Sequence, residues 1–330
     1  MKRDKSVDNA DALATLLARA EGVLERVESM LPPPAPDPDW RSVTAARWRK
    51  RGGRGYLQPV AHPHAVDLDA LVAIDAQKET VDRNTRQFVA GLPANNVLLT
   101  GSRGTGKSSL VKAMLAKYAG KGLRLIEVDK SELVDLPDIV ERIEGRRERF
   151  IVFCDDLTFD AGEAGYKALK VVLDGSIAGP SANVAIYATS NRRHLLPEYM
   201  SENLETRHIG EEVHPGESVE EKISLSERFG LWVSFYPFAQ DDYLAAVAGW
   251  LEVMGTGAPA NAKDAETRTR EALQFALQRG SRSGRVAWQF AKHWAGAHAF
   301  GTSPRSGLRS PPPKGARRPR GGPSDAKRSS

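Results

Sequence analysis

Cysteine and long apolar runs are both scarce in this chain of 330 residues. The single cysteine, Cys154, excludes an internal disulfide and a metal site built from several cysteines. It lies in the apolar run FIVFC, where a buried thiol acts as a small hydrophobe. No run of 18 apolar residues is present, so no membrane insertion is predicted. Acidic residues interrupt the segment MKRDKSVDNADALATLL, where a signal peptide needs an uninterrupted apolar stretch, and we therefore expect a cytoplasmic protein.

The net charge of +5 is distributed unevenly along the chain. Residues 301–330 contain eight Arg or Lys and one acidic residue, whereas residues 1–300 carry a net charge of −2. Because this tail is rich in Pro, Gly and Ser and has little to bury, it is predicted to be disordered. A basic tail of this kind can bind RNA, DNA or an acidic partner, or it can serve only as a solvated extension; both alternatives stay open.

The first 60 residues divide into a predicted helix and a predicted linker. In residues 1–31, apolar side chains recur at three- and four-residue steps, which predicts an amphipathic helix docked on its own protein or on a neighbouring subunit: Leu13, Leu16, Ala20, Val23, Val27 and Met30. Residues 32–60 are predicted to form a basic linker rich in Pro and Gly. Trp40, Trp48 and Tyr56 lie among its arginines, where they can stack on bases or dock the linker onto the domain.

Residues 97–108, VLLTGSRGTGKS, have the full spacing of a phosphate-binding P-loop between a strand and a helix. Its glycines let the loop wrap closely around phosphates, and the helix N-terminus adds partial positive charge. Lys107 is expected to reach the β- and γ-phosphates of ATP from an exposed position, and the Ser108 hydroxyl to ligate Mg²⁺. The predicted nucleotide-binding residues are Gly101, Ser102, Arg103, Gly104, Thr105, Gly106, Lys107, Ser108 and Ser109. A glycine turn without a ligand is the alternative, but it leaves the Lys-Ser pair without a purpose.

Apolar runs typical of buried strands alternate with amphipathic helices over the middle of the chain. The strands are predicted at residues 97–100, 123–128, 150–154 and 184–188, and the helices at 69–92, 108–118, 136–143 and 166–173. This order predicts an α/β domain over residues 61–236, with a parallel sheet covered by helices on both faces. Three helices without intervening strands follow, at 241–253, 264–278 and 285–298. They predict a small helical lid over residues 237–300.

With the P-loop, the segment FIVFCDD at residues 150–156 resembles the phosphate site of the AAA+ ATPases, a branch of the P-loop NTPases. The resemblance implies that Asp155 holds Mg²⁺ through water. Asp156 stands where most of the superfamily carries the Glu that polarises the attacking water. Since Asp is one methylene shorter, slow hydrolysis or a partner that closes the site is implied. A polar strand end without chemistry is the plain structural alternative.

Three further segments resemble later AAA+ elements. AIYATSN offers Asn191, beside Thr189 and Ser190, as the residue that faces the γ-phosphate. SLSERFG offers Arg228 as an arginine finger for the neighbouring subunit, and RGSRSGRVAWQF offers Arg285 as the second sensor arginine, with Arg282 as its substitute. The structural alternatives are a Ser-Asn turn at the strand end and a helix-terminal Arg228 paired with Glu221 or Glu227.

The segments VLLTGSRGTGKSSLVKAML, LRLIEVDKSEL, FCDDLTF, YKALKVVLDG, YATSNRRHLLPEYM and LSERFGLWVSFYPF are similar to a bacterial AAA+ family known as domain of unknown function 815, over roughly residues 55–298. The resemblance implies a homo-oligomeric ring or open ring that hydrolyses Mg-ATP at its interfaces and acts on an unknown protein partner. A nucleic-acid-linked initiator or helicase loader is one alternative, indicated by the Asp-Asp pair and the basic ends. An ATP-binding switch or scaffold with negligible turnover is the other, which the short Asp156 permits.

Overall fold

The computed structural model describes residues 13–24, 26, 35–159, 163–175, 181–191, 207–209, 212–214, 227–256, 258–259 and 261–301. The strands are β1 Ala45–Arg51, β2 Arg54–Pro59, β3 Val97–Gly101, β4 Leu123–Val128, β5 Arg149–Cys154, β6 Val184–Ser190, β7 Arg207–Ile209, β8 Glu212–His214 and β9 Leu231–Phe235. The helices are α1 at residues 13–24, α2 Asp75–Val89, α3 Lys107–Tyr118, α4 Leu136–Ile143, α5 Ala164–Asp174, α6 Gln240–Val253, α7 Ala262–Gln278 and α8 Gly284–Gly301.

Within these described ranges, seven strands form one sheet in the order β2-β1-β4-β5-β6-β3-β9, and β7 and β8 form a separate hairpin. All neighbouring pairs of the large sheet are parallel except β1 and β2, which are antiparallel. From β3 the chain continues to β4, and from β6 it continues to β9. The connections that follow the neighbouring strands β3 and β6 therefore run in opposite directions along the sheet. A crevice at such a switch point, outside the carboxyl ends of the strands, is the usual ligand site of an open parallel sheet.

Helices cover the sheet on both faces, as the sequence predicts. One buried cluster joins α2 and α3 to the sheet and to the three C-terminal helices, through side chains such as Val81, Leu110 and Phe290. The other joins α4 and α5 to the opposite face, through Ile139 and Leu169 among others. The predicted α/β fold with a parallel sheet and a helical C-terminal region is therefore confirmed. No helix in the described part of the chain is long and apolar enough to cross a membrane.

The prediction of a linker is wrong for the second half of residues 32–60, because residues 45–51 and 54–59 form β1 and β2 at the edge of the sheet. Side chains alternate along β1: Ala46 and Trp48 are buried, and Arg47 and Arg49 point outward to ion pairs with acids at the end of β4 and just beyond it. The indole N–H of Trp48 donates to Asp135 at 2.8 Å. Charge and glycine content indicated a linker, but the period-two pattern of a half-buried strand decides the structure.

Three smaller differences concern element ends. The helix predicted to start at residue 69 begins at Asp75, preceded by Ala73 in a left-handed conformation. β9 is an additional strand that the sequence pattern did not indicate, beside the P-loop strand. In α1, Leu13 and Leu16 are exposed, and Val27 and Met30 lie outside the described residues, so the docking of this helix stays a prediction. Residues 302–330 of the predicted tail also lie outside them.

Candidate nucleotide-binding site

The loop between β3 and α3 has a backbone shape that requires glycine. Gly101 has a φ of 125°, and a Cβ atom placed on it would lie 1.9 Å from the carbonyl oxygen of Phe235 on the neighbouring strand. Gly104 has a φ of 77°, and its Cβ would lie 2.9 Å from both the Arg285 Cβ and the Ser283 Oγ. Left-handed conformations are open to glycine at little cost. The glycine spacing therefore serves both the loop shape and the close approach of the C-terminal helices.

Lys107 is buried within this loop, with 5% of its surface exposed, and the expectation of an exposed lysine is wrong. Its Nζ donates hydrogen bonds to the carbonyl oxygens of Gly101 at 2.7 Å and Ser102 at 2.8 Å, and to Asn191 Oδ1 at 3.1 Å. Burial lowers the pKa of the Lys107 ammonium group to about 8, and the carboxylates of Asp155 and Asp156 oppose this shift. The lysine is thus held as a desolvated donor.

Asp155 lies where the ends of β5 and β6 meet the start of α3. The Ser108 hydroxyl donates to Asp155 Oδ1 at 2.6 Å, and the Thr189 hydroxyl donates to the same oxygen at 2.5 Å. A carboxylate beside a hydroxyl is a set of hard oxygen donors, which suits Mg²⁺ when the remaining positions are filled by water and phosphate oxygens. The side chains of Ser108 and Asp155 therefore fit the magnesium role expected of them.

Asp156 is held in a left-handed conformation at a φ of 54°. Its backbone N–H donates to Thr189 Oγ1 at 2.9 Å, and its Oδ1 accepts a hydrogen bond from the Asn191 amide. Its Oδ2 lies 3.5 Å from Arg103 Nη2. A non-glycine residue adopts this backbone shape at a cost, so the surrounding contacts keep Asp156 in place. Asn191 joins the loop lysine to this carboxylate, because it contacts both.

A cavity of about 440 Å³ lies between the loop and the C-terminal helices. Its polar lining residues, called here the polar end, are those of the loop with Asp155, Asp156, Thr189 and Asn191. Its apolar lining residues come from the segment before α2, from α6 and from α8: Leu71, Val72, Ile74, Ala246, Trp250 and Trp288. Concave sites with apolar walls and a few convergent polar groups are typical of small-molecule binding. A lining of both kinds suits a molecule that carries an apolar ring and phosphates.

The two candidate sensor arginines line different cavities. The backbone N–H of Arg285 donates to the Gly104 carbonyl oxygen at 3.1 Å, and its side chain lines the cavity. Arg282 lines a separate groove with Gln240 and Leu277. The geometry favours Arg285. Trp288 was not predicted as a site residue, although it lies three residues after Arg285 and so shares a helix face with it.

Arg228 lies near the amino-terminal ends of β3 and β9, whereas the loop follows the carboxyl end of β3. It precedes β9, whose first residue, Leu231, pairs with Val97, whereas its last residue, Phe235, pairs with Gly101. The four residue-to-residue steps from Leu231 to Phe235 alone span about 13 Å at roughly 3.3 Å per step. The Arg228 Nε donates to Asp174 Oδ1 at 2.6 Å, a carboxylate other than Glu221 or Glu227. The structure brings the other predicted site residues together and leaves Arg228 apart from them.

A parallel sheet with this strand order, a lysine-bearing glycine loop at its switch point and a helical region packed against that loop define the AAA+ fold of the P-loop proteins. The family described as protein of unknown function DUF815 matches residues 41–298, and the chain belongs to this family.

Solved structures similar to this chain include the RuvB Holliday junction branch migration motor of Thermotoga maritima. It is 14% identical, with a TM-score of 0.36 over 69% of this chain and 71% of that chain. A variant of the same protein is 13% identical, with a TM-score of 0.39 over 69% of this chain and 72% of that chain. These superpositions are loose and carry no information on activity. A comparison with curated proteins returned no match.

Proposed function

We propose that this protein binds and hydrolyses Mg-ATP and couples hydrolysis to movement of the lid, defined here as α6 to α8, against the sheet. One observation carries the proposal. Lys107, Asn191 and Asp156 form a continuous hydrogen-bonded chain, next to the Ser108–Asp155 pair, at the polar end of one cavity. A structural role alone does not account for the buried charge of Lys107, beside two exposed carboxylates, since buried charge is costly.

Each side chain of the polar end has a distinct task in this proposal. The loop N–H groups and Lys107 hold the phosphates, while Ser108 and Asp155 hold Mg²⁺. Bound Mg²⁺ would neutralise charge that develops on the transferred phosphoryl group. Asp156 accepts the proton of the attacking water, and Asn191 keeps that carboxylate oriented through its hydrogen bond to Oδ1.

Contact between loop and lid gives a route from the phosphates to the helices. Arg285 donates its backbone N–H to Gly104 and places its side chain in the cavity, and Trp288 follows on the same helix. A change of charge at the polar end acts directly on the Arg285 guanidinium through Coulomb forces in a partly enclosed site. Since Arg285 lies at the start of α8, such a force is applied to the end of a rigid element.

The position of Arg228 supports assembly into a homo-oligomer. An arginine at the amino-terminal ends of the strands is distant from the loop of its own chain, but it can reach the site of an adjacent subunit. We therefore propose that Arg228 completes the neighbour's site, in a ring or open ring. An arginine supplied in this way contributes about 10³ to 10⁵ in rate in related nucleotide hydrolysis.

Replacement of Asp156 by Asn tests the catalytic part of the proposal. The amide keeps the shape but cannot accept the proton, so we expect ATP to stay bound while turnover falls by about 10² to 10⁴. The matched control is Asp138→Asn on the exposed surface of α4, which should match the parent. Undiminished hydrolysis by Asp156→Asn would exclude Asp156 as the base. Asp160 and Glu163 would then be the candidate bases. ATP binding without turnover by the parent would favour the switch or scaffold alternative.

A nucleic-acid partner is the second candidate, favoured by the charge of the C-terminal tail. Residues 302–330 carry eight basic residues and one acid, whereas the rest of the chain is slightly acidic. Clustered charge of this kind binds phosphate backbones through counterion release. The partner on which the lid movement acts is then DNA or RNA rather than another protein.

A further inference from the structure

Arg103 is a charged residue at a position where the loop could carry any side chain. It lies between Ser102 and Gly104, and its side chain is 74% exposed. In the part of the chain that the structure describes, its ion pair is with Asp156, at 3.5 Å between Nη2 and Oδ2. Its side chain also lines the cavity that holds Lys107 and Asp155. The phosphate loop thus brings its own arginine to the proposed catalytic carboxylate.

The two carboxylate oxygens of Asp156 are divided between two partners. Oδ1 accepts the Asn191 amide, and Asn191 is itself bonded to the buried Lys107. Oδ2 faces Arg103 across a long, solvent-exposed contact, and pairs of this kind contribute little to stability. A water molecule that gives its proton to Oδ2 competes with the Arg103 guanidinium for this oxygen. The Arg103 contact is the weaker of the two and is the one that can be released.

We propose that Arg103 covers Asp156 Oδ2 in the nucleotide-free site and moves its guanidinium to the terminal phosphate when ATP binds. This proposal rests on the ATPase function above. A change of side-chain rotamer suffices, because the Arg103 backbone already belongs to the loop that wraps the phosphates. The move frees the oxygen that accepts the proton and places a positive charge where the reaction develops negative charge. The third phosphate is thereby coupled to activation of the base.

The proposal makes Arg103 a reader of the terminal phosphate, which binding experiments detect without any turnover. We compare the affinities of a non-hydrolysable ATP analogue and of ADP, by calorimetry, in the parent, in Arg103→Ala and in Arg103→Lys. Arg103→Ala should bind the analogue about tenfold more weakly and ADP as the parent does, since only the analogue offers the third phosphate. Arg103→Lys should recover part of the loss, because it keeps the charge without the planar fork. Arg147→Ala, an exposed arginine at the other edge of the sheet, is the matched control.

A double-mutant cycle tests the exchange of partners. Asp156→Asn removes the charge that competes for Arg103, so it should strengthen analogue binding in the parent and less so in the Arg103→Ala background. An equal gain in both backgrounds overturns the exchange.

Two other results separate this proposal from the ATPase function itself. If the parent binds nucleotides but Arg103→Ala leaves the ratio of analogue to ADP affinity unchanged, only the proposed role of Arg103 is refuted. If the parent binds neither nucleotide, both the role of Arg103 and the proposed ATPase function are refuted.

Discussion

Nucleotide affinity should fall steeply between pH 7 and pH 9, because the loop lysine loses its proton in this range. Lys107 must be charged to bind phosphates, and its burial lowers the pKa of the free site to about 8. With that pKa, roughly nine-tenths of the lysine is charged at pH 7 and roughly one-tenth at pH 9. The expected loss of affinity is therefore about tenfold, or about 1.4 kcal/mol. The sign follows from the bound state, in which phosphate favours the charged lysine, so that binding at pH 9 takes up a proton.

Calorimetry measures both quantities. We expect the ADP affinity to drop about tenfold from pH 7 to pH 9, and titrations in buffers of different ionisation enthalpy to report uptake of nearly one proton at pH 9. Lys107→Arg is the matched variant, because a guanidinium stays charged over the whole pH range. The ADP affinity of this variant should therefore not change with pH, whatever its absolute value. Circular dichroism at each pH checks that the fold is intact. A pH-independent affinity of the parent, with no proton uptake, would refute the assignment of Lys107 as the phosphate-binding lysine.

Two further predictions concern the loop–lid contact and the tail. Gly104→Ala should lower unfolding stability and ATPase rate, because its Cβ would meet Arg285 and Ser283 at 2.9 Å. Gly145→Ala, at a similar φ of 71° with nothing within 4 Å, should lose only the roughly 1–2 kcal/mol of the strained backbone in chemical denaturation. Deletion of residues 302–330 should weaken binding to DNA or RNA and flatten its salt dependence, while ATPase activity without ligand is retained. Unchanged nucleic-acid affinity after deletion would remove the tail from the second candidate function.

The parts of the fold that follow from local patterns were predictable from the sequence. Residues 97–101, 123–128 and 149–154 are short, mostly apolar runs typical of buried strands, and the observed bounds differ from the predicted ones by at most one residue. The glycine spacing likewise determined the loop and the start of α3. These signals are local, because hydrophobic periodicity and glycine requirements act within a few residues.

The parts that depend on distant partners were not predictable. Arg47 and Arg49 resemble linker charges in the sequence, because their ion-pair partners Glu127 and Asp129 are 80 positions away. The burial of Lys107 depends on carbonyl groups of its own loop and on Asn191, 84 positions away. Such contacts arise from the topology and leave no periodic trace in the sequence.

Subunit complementation most directly tests the central claim, that each ATP site takes its catalytic carboxylate from one chain and its arginine from the next. Arg228→Ala and Asp156→Asn should each be nearly inactive alone. Mixing the two purified variants under assembly conditions should restore part of the ATPase activity, because an Arg228→Ala subunit keeps its own Asp156 and receives an intact arginine from its neighbour. Absence of activity in the mixture, with subunit exchange shown independently by energy transfer between labelled chains, would contradict the composite site.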